Sequence, residues 1–186
     1  MKNHAFTLIE LLVAILIIGI LAAIAVQQYK KAVIKSKAAH MQSLLNEVVR
    51  ASDRYYLQNG EYPKTFEDLD IEIELPSLNY KPCFTDLGAA SIKQSGDFAI
   101  AIHSGTPTFS INVIAAYFIT GKYKCRGFAH VQKWKDEPHK DVTCCMEARS
   151  NLDCGNDCEK GIFCQDIMGK KRSTTNIAGG QMVPYY

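Results

Sequence analysis

Phe6-Thr7-Leu8-Ile9-Glu10-Leu11-Leu12-Val13-Ala14-Ile15-Leu16-Ile17-Ile18-Gly19-Ile20-Leu21-Ala22-Ala23-Ile24-Ala25-Val26 is apolar at every position except Thr7, Glu10 and Gly19. As an α-helix the stretch would be about 31 Å long, matching the hydrocarbon core of a bilayer. Glu10 decides how it is read. A carboxylate inside an inserted helix costs about 2.5–3.5 kcal/mol on insertion scales, and intramembrane ionisable groups generally have a function. A secretory signal peptide is the plainest alternative, with Lys2 as its basic start and Ala23-Ile24-Ala25 as its cleavage site. Neither that reading nor a plain membrane anchor has any use for Glu10.

Working outward, the chain has 186 residues, a formal net charge of +2, 47% hydrophobic and 22% charged residues. That length suits one domain with an appendage, and the charged fraction argues against disorder. Without the apolar stretch the remainder is about 42% hydrophobic, ordinary for a soluble domain. A polytopic membrane protein is excluded, and the mild charge does not call for a nucleic acid.

The tract Ala5-Phe6-Thr7-Leu8-Ile9-Glu10-Leu11 resembles the cleavage and methylation signature of type IV pilins and type II secretion pseudopilins. The likeness rests on a short basic leader, an aromatic at the new N-terminus and Glu as the fifth residue from it. It implies a prepilin peptidase cutting between Ala5 and Phe6 and methylating the Phe6 amine. It also implies that Glu10 pairs with that amine on a neighbouring subunit. A free α-amine is mostly cationic at neutral pH, and a buried charge needs an opposite partner. Ala5 stands where the family usually has Gly. Gln27 occupies a position where many pilins have Pro, so Gly19 is the helix's only weak point.

Flanking charge points the other way. Lys30, Lys31, Lys35 and Lys37 follow the apolar run and only Lys2 precedes it. Taken alone, the positive-inside rule puts the C-terminal side in the cytoplasm. The resemblance implies an inner-membrane precursor with its head in the periplasm.

Beyond Val26, Tyr29, Val33, Ala38, Met41, Leu44, Leu45, Val48, Val49, Ser52, Tyr55 and Tyr56 recur at helical spacing, predicting an amphipathic continuation that stops at Asn59-Gly60. Tyr55 to Pro63 resembles the point where pilin spines end. Thr65 to Leu69 reads as a capped turn and Ile71 to Leu75 alternates like a strand. Asp97 to His103, Thr108 to Phe118 and Lys122 to Val131 predict an antiparallel meander, with turns at Gly105-Thr106-Pro107 and Thr120-Gly121. The expected fold is α+β and pilin-like, a long helix packed on an antiparallel sheet with a disulfide-rich C-terminal region. Residues 1–5 would be leader, 6–26 the transmembrane or filament-core helix, 27–59 its amphipathic continuation and 60–186 the head. The resemblance is close over residues 1–70 and architectural beyond.

The seven cysteines are Cys83, Cys125, Cys144, Cys145, Cys154, Cys158 and Cys164. In an exported head they read as disulfides, with about a hundred possible three-bridge pairings. The preferred ones are Cys144 or Cys145 with Cys164, and Cys83 with Cys125. The competing reading is zinc held by Cys154, Cys158, Cys164 and His139. Asn151, Asp153, Asn156, Asp157 and Glu159 make an oxygen-rich loop in which Asp153 and Asp157 are weak calcium candidates, but the spacing is not that of an EF-hand. No cofactor is expected. The five histidines are scattered and no catalytic motif occurs, so an enzyme is not expected. Lys170-Lys171-Arg172 reads as solvated, and nucleic acid is not an expected partner.

The resemblance therefore implies a structural subunit of a type IV pilus or pilus-like filament, with a type II secretion pseudopilin as the alternative. An exported enzyme or binding protein freed by signal peptidase is a third reading. Implied partners are other copies or other pilins, the prepilin peptidase, an inner-membrane assembly platform and, before assembly, the bilayer. The implied destination is a surface fibre or a periplasmic pseudopilus.

Overall fold

No proline precedes Pro63 and a single glycine falls before Asn59, so little in the chain interrupts a helix once begun. The first element, α1 (Leu8–Asn59), accordingly runs for 52 residues. It stops at Gly60, which takes the left-handed conformation (φ 74°) that costs other residues a Cβ clash and donates its N–H to Tyr56 O at 2.8 Å. The computed structural model describes residues 7–79, 83, 89–104, 111–134, 137–147, 163–169, 175–177 and 180–184. The expected turn at 105–107 lies outside them.

The chain divides into two units between Lys37 and Ala38. In the first, residues 7–32 are all exposed. Within α1 the most apolar stretch of 18 residues has a mean hydropathy of 3.0, long and apolar enough to cross a membrane. Tyr29, expected in the buried stripe, is 71% exposed. Val33 and Ile34 are half-buried, and full burial along α1 begins at Ala38.

In the second unit α1 buries Ala38, Met41, Leu45, Val48, Ala51 and Ser52, three or four residues apart on one face. That face lies on an antiparallel sheet. His40 meets Phe98 edge-on at 5.5 Å between ring centres. Five strands form a meander: β1 (Ala89–Ser95), β2 (Phe98–Ser104), β3 (Ile111–Phe118), β4 (Gly127–Trp134) and β5 (Glu137–Glu147). A short helix, α2 (Phe163–Asp166), precedes β6 (Thr175–Ile177) and β7 (Gly180–Pro184), and the sheet order is β1-β2-β3-β4-β5-β7-β6.

Both faces of the central strands are buried, which explains why β2 reads as a continuous apolar run. Strand alternation and register put Ile100, Ile102, Ile114, Ala116 and Phe128 on the side of Phe98 and α1. The opposite side carries Ala99, Ala101, Val113, Ala115, Tyr117, Ala129 and Val131, packed with Ile92 and the half-cystines Cys83 and Cys125. Gly127 is required where β4 begins, because a Cβ there would come within 2.1 Å of Ala116 O.

Two expected strands differ. Ile71 to Leu75 buries Ile73 as alternation predicts but joins no ladder. Leu75 N–H is spent on Ile73 O, and Pro76 has no N–H to give. Contact with β1 is reduced to one bridge, Ser77 with Lys93, flanked by Leu78 N–H on Ile92 O and Gln94 N–H on Pro76 O. Residues 122–126, expected in β4, form a turn instead. Cys125 sits there at φ 60°, its N–H on Phe118 O and its sulfur bonded to Cys83.

Candidate assembly site

Thr7-Leu8-Ile9-Glu10 has the T-x-x-E spacing of a capping box, a signal available in the sequence beside the one that singled out Glu10. Thr7 O accepts from Leu11 N at 3.3 Å, placing Thr7 at the N-cap. Glu10 Oε2 accepts the Thr7 backbone N–H at 2.8 Å and the Thr7 hydroxyl at 2.6 Å, while Glu10 N–H reaches back to Thr7 Oγ1 at 3.4 Å. The carboxylate is therefore held beside the start of the helix by one oxygen, and Oε1 takes part in none of these bonds. An exposed acceptor of fixed orientation can receive a cation. Ala5 and Phe6 lie outside the described residues.

Further along, three sets of contacts hold the second unit together, the first of them joining α1 to the sheet. Gln132 lies at a register shift in both ladders of β4, opposite no residue of β3 or β5. Its side chain accepts from the Ser52 hydroxyl at 2.9 Å and donates to Asp53 Oδ1 at 3.0 Å. Ser52 and Gln132 are buried, so each satisfies the other where water is excluded.

The second set fixes the loop after α1. Arg54 clamps Asp70 through Nε and an Nη, both at 2.6 Å. The Arg54 hydrogen bonds hold the Asp70 carboxyl below its usual range, outweighing partial burial, and Asp70 raises the guanidinium in turn. In the 3-10 turn Phe66–Asp68, burial opposes the charge on Asp68, but the N–H groups of Thr65 (2.8 Å) and Lys64 (2.9 Å) prevail and its carboxyl is also lowered. Lys93 Nζ, on β1, donates to Ile73 O at 2.9 Å and sits 5.6 Å from the Phe66 ring centre.

The third set is covalent. Cys83 is bonded to Cys125, and Cys145 on β5 to Cys164 in α2. Phe163 packs beside the second bridge against Phe118, Tyr123 and Phe128, at 5.6–5.8 Å between ring centres. Cys164 is thereby unavailable as a zinc thiolate. Cys144 is on β5, and Cys154, Cys158, Asp153 and Asp157 lie outside the described residues. Among the described residues no group of three His, Cys, Asp or Glu side chains could hold a metal. His40 faces Phe98, His103 is buried on β2, and His130 Nδ1 is 2.8 Å from Thr143 Oγ1.

Residues 1–26 match the prokaryotic N-terminal methylation motif. The N-terminus is of the prepilin type. The chain is similar to type II secretion system core protein G of Pseudomonas aeruginosa, 35% identical over 81 residues that make up 44% of this chain and 57% of that protein. It is similar also to the type IV major pilin protein PilA of Myxococcus xanthus, 36% identical over 109 residues, 59% of this chain and 49% of that one. A fimbrial protein of Neisseria meningitidis is 40% identical over 61 residues, 33% of this chain and 36% of the other. The chain spans about half the length of the curated relatives it matches. No solved structure matches it.

Proposed function

We propose that this chain is a structural subunit of a type IV pilus or pilus-like filament, held in the membrane as a precursor and polymerised through its N-terminal helix. The observation that carries the reading is Glu10, an acidic side chain kept inside the otherwise uncharged apolar segment of α1, within a matched methylation motif and oriented by Thr7. A prepilin peptidase removes residues 1–5 and methylates Phe6. Glu10 then receives the Phe6 amine of the next subunit while the apolar spines exchange lipid for one another. An inner-membrane platform drives that exchange, the head lying in the periplasm until the fibre emerges.

The similarity to core protein G supports a second reading, a secretion pseudopilin whose fibre remains periplasmic. N-terminal sequencing and intact mass of the mature chain test the common part: Phe6 first, with one added methyl group. A mature chain that keeps Met1, or begins at Val26, ends both readings. Surface fibres that carry the chain and can be sheared from cells select the pilus over the pseudopilus.

A further inference from the structure

We infer that Tyr29, Lys30, Lys31 and Lys35 form a belt that binds the anionic headgroup surface of the bilayer at the C-terminal end of the apolar segment. The inference rests on the membrane-embedded precursor proposed above.

The helix carries no charged residue from Leu11 through Tyr29, then four lysines within eight positions, and no Asp or Glu until Glu47. No Asp or Glu of the helix lies within ten positions of Lys30, Lys31 or Lys35. Lys30, Lys31 and Lys35 are exposed, and neither the Arg54–Asp70 pair nor the Lys64–Glu61 pair involves them. Tyr29 is 71% exposed at the junction, where an amphipathic ring suits the headgroup level.

Axial rise puts Lys30 and Lys31 about 6–8 Å beyond Val26 and Lys35 about 13 Å beyond it. With an upright helix ending its apolar run at the hydrocarbon boundary, the first two lie among headgroups. Lys35 lies within about one Debye length of them at physiological salt. Basic residues at this distance are attracted to anionic lipid. The same charges that conflict with the positive-inside rule thus acquire a role on whichever side they stand. They hold the waiting subunit at the surface and fix the depth of its helix.

The test uses the full-length chain reconstituted in phosphatidylcholine vesicles, alone or with one-third phosphatidylglycerol. Spin-labelled phosphatidylglycerol and phosphatidylcholine report which lipid occupies the protein's boundary. The expected result at low salt is a preference for phosphatidylglycerol of roughly fivefold, about 1 kcal/mol. High salt removes it, K30Q/K31Q/K35Q brings it close to one, and K30R/K31R/K35R retains it. Equal occupancy by the two lipids in wild type, or an unchanged preference in the glutamine variant, overturns the inference. Lysine-dependent self-association without a lipid preference also overturns it and assigns the belt to a second copy. Alkaline extraction of the vesicles separates the two levels. A chain that resists extraction but shows no preference loses the belt alone, whereas a released chain loses the embedded precursor and the belt with it.

Discussion

Ser52 on α1 donates its hydroxyl to Gln132 on β4 at 2.9 Å, joining residues 80 positions apart inside the core. Gln132 is released from both neighbouring strands by the irregularity in β4, which lets it serve the helix. Replacing Gln132 with Leu leaves the Ser52 hydroxyl buried without this partner and should cost about 1–3 kcal/mol. Ser52→Ala/Gln132→Leu, which removes both polar ends, should recover part of that loss. Urea denaturation of a chain begun at Gln28, past the apolar segment, measures both. Equal stability of Gln132→Leu and wild type would show that the bond does not hold spine to head.

Thr7 and Glu10 give a prediction about assembly in which charge and cap are separable. Glu10→Gln keeps an acceptor for the capping box but not the charge. If the charge partners the Phe6 amine, Glu10→Gln and Glu10→Ala should both stop filament growth, since an unpartnered cation in an apolar core costs about 3–5 kcal/mol at each addition. Thr7→Val, which keeps the charge and loosens its orientation, should lower filament yield without abolishing it. The readout is sheared fibre against membrane-bound subunit, with cleavage confirmed in each case. Normal yield from Glu10→Gln would assign the residue to capping alone.

The two bridges lead to a redox prediction. Four of the seven cysteines are bonded, so unreduced protein should show at most three free thiols. Breaking either bridge should cost about 2–4 kcal/mol. Cys83 and Cys125 are 42 residues apart and Cys145 and Cys164 are 19 apart, so chain entropy favours the first bridge by less than about 1 kcal/mol. Thiol counting and thermal unfolding of Cys83→Ser/Cys125→Ser and Cys145→Ser/Cys164→Ser check both statements. Six or seven free thiols would exclude the bridges.

Acid should loosen the loop that follows α1. Asp70 and Asp68 both have carboxyls lowered in the folded chain, so their contribution is present at neutral pH. It is lost as pH falls from the unfolded value, about 3.9, through the folded one. Protection from hydrogen exchange in residues 61–73, taken relative to the intrinsic rate at each pH, should therefore fall between pH 5 and pH 3 by more than in the β2–β3 core. In Asp70→Asn the loop should already exchange faster at neutral pH and should respond less to acid. An identical acid response in that variant would remove Asp70 from the cause.

Local periodicity accounts for what could be read in the linear chain. The uncharged run, the three- and four-residue recurrence from Ala38 to Ser52 and the Asn59-Gly60 stop concern neighbours within one or two turns, and so does the Thr7–Glu10 cap. Strands β2 and β3 were legible because turns bound continuous apolar runs. Long-range pairing was not legible. The alternation at 71–75 resembles a strand until Pro76 and the Leu75 N–H fail to supply a ladder. Residues 122–126 look extended until the Cys83 bond and a left-handed Cys125 turn them. β5 has no apolar alternation to mark it, and its backbone is ordered by β4 and β7 on either side. Gln132, Asp70 and the choice of Cys145 over Cys144 as the partner of Cys164 became identifiable only in the folded chain. A hydrogen bond, an ion pair or a disulfide depends on distance in space, and no spacing along the sequence encodes which distant residue the sheet brings near.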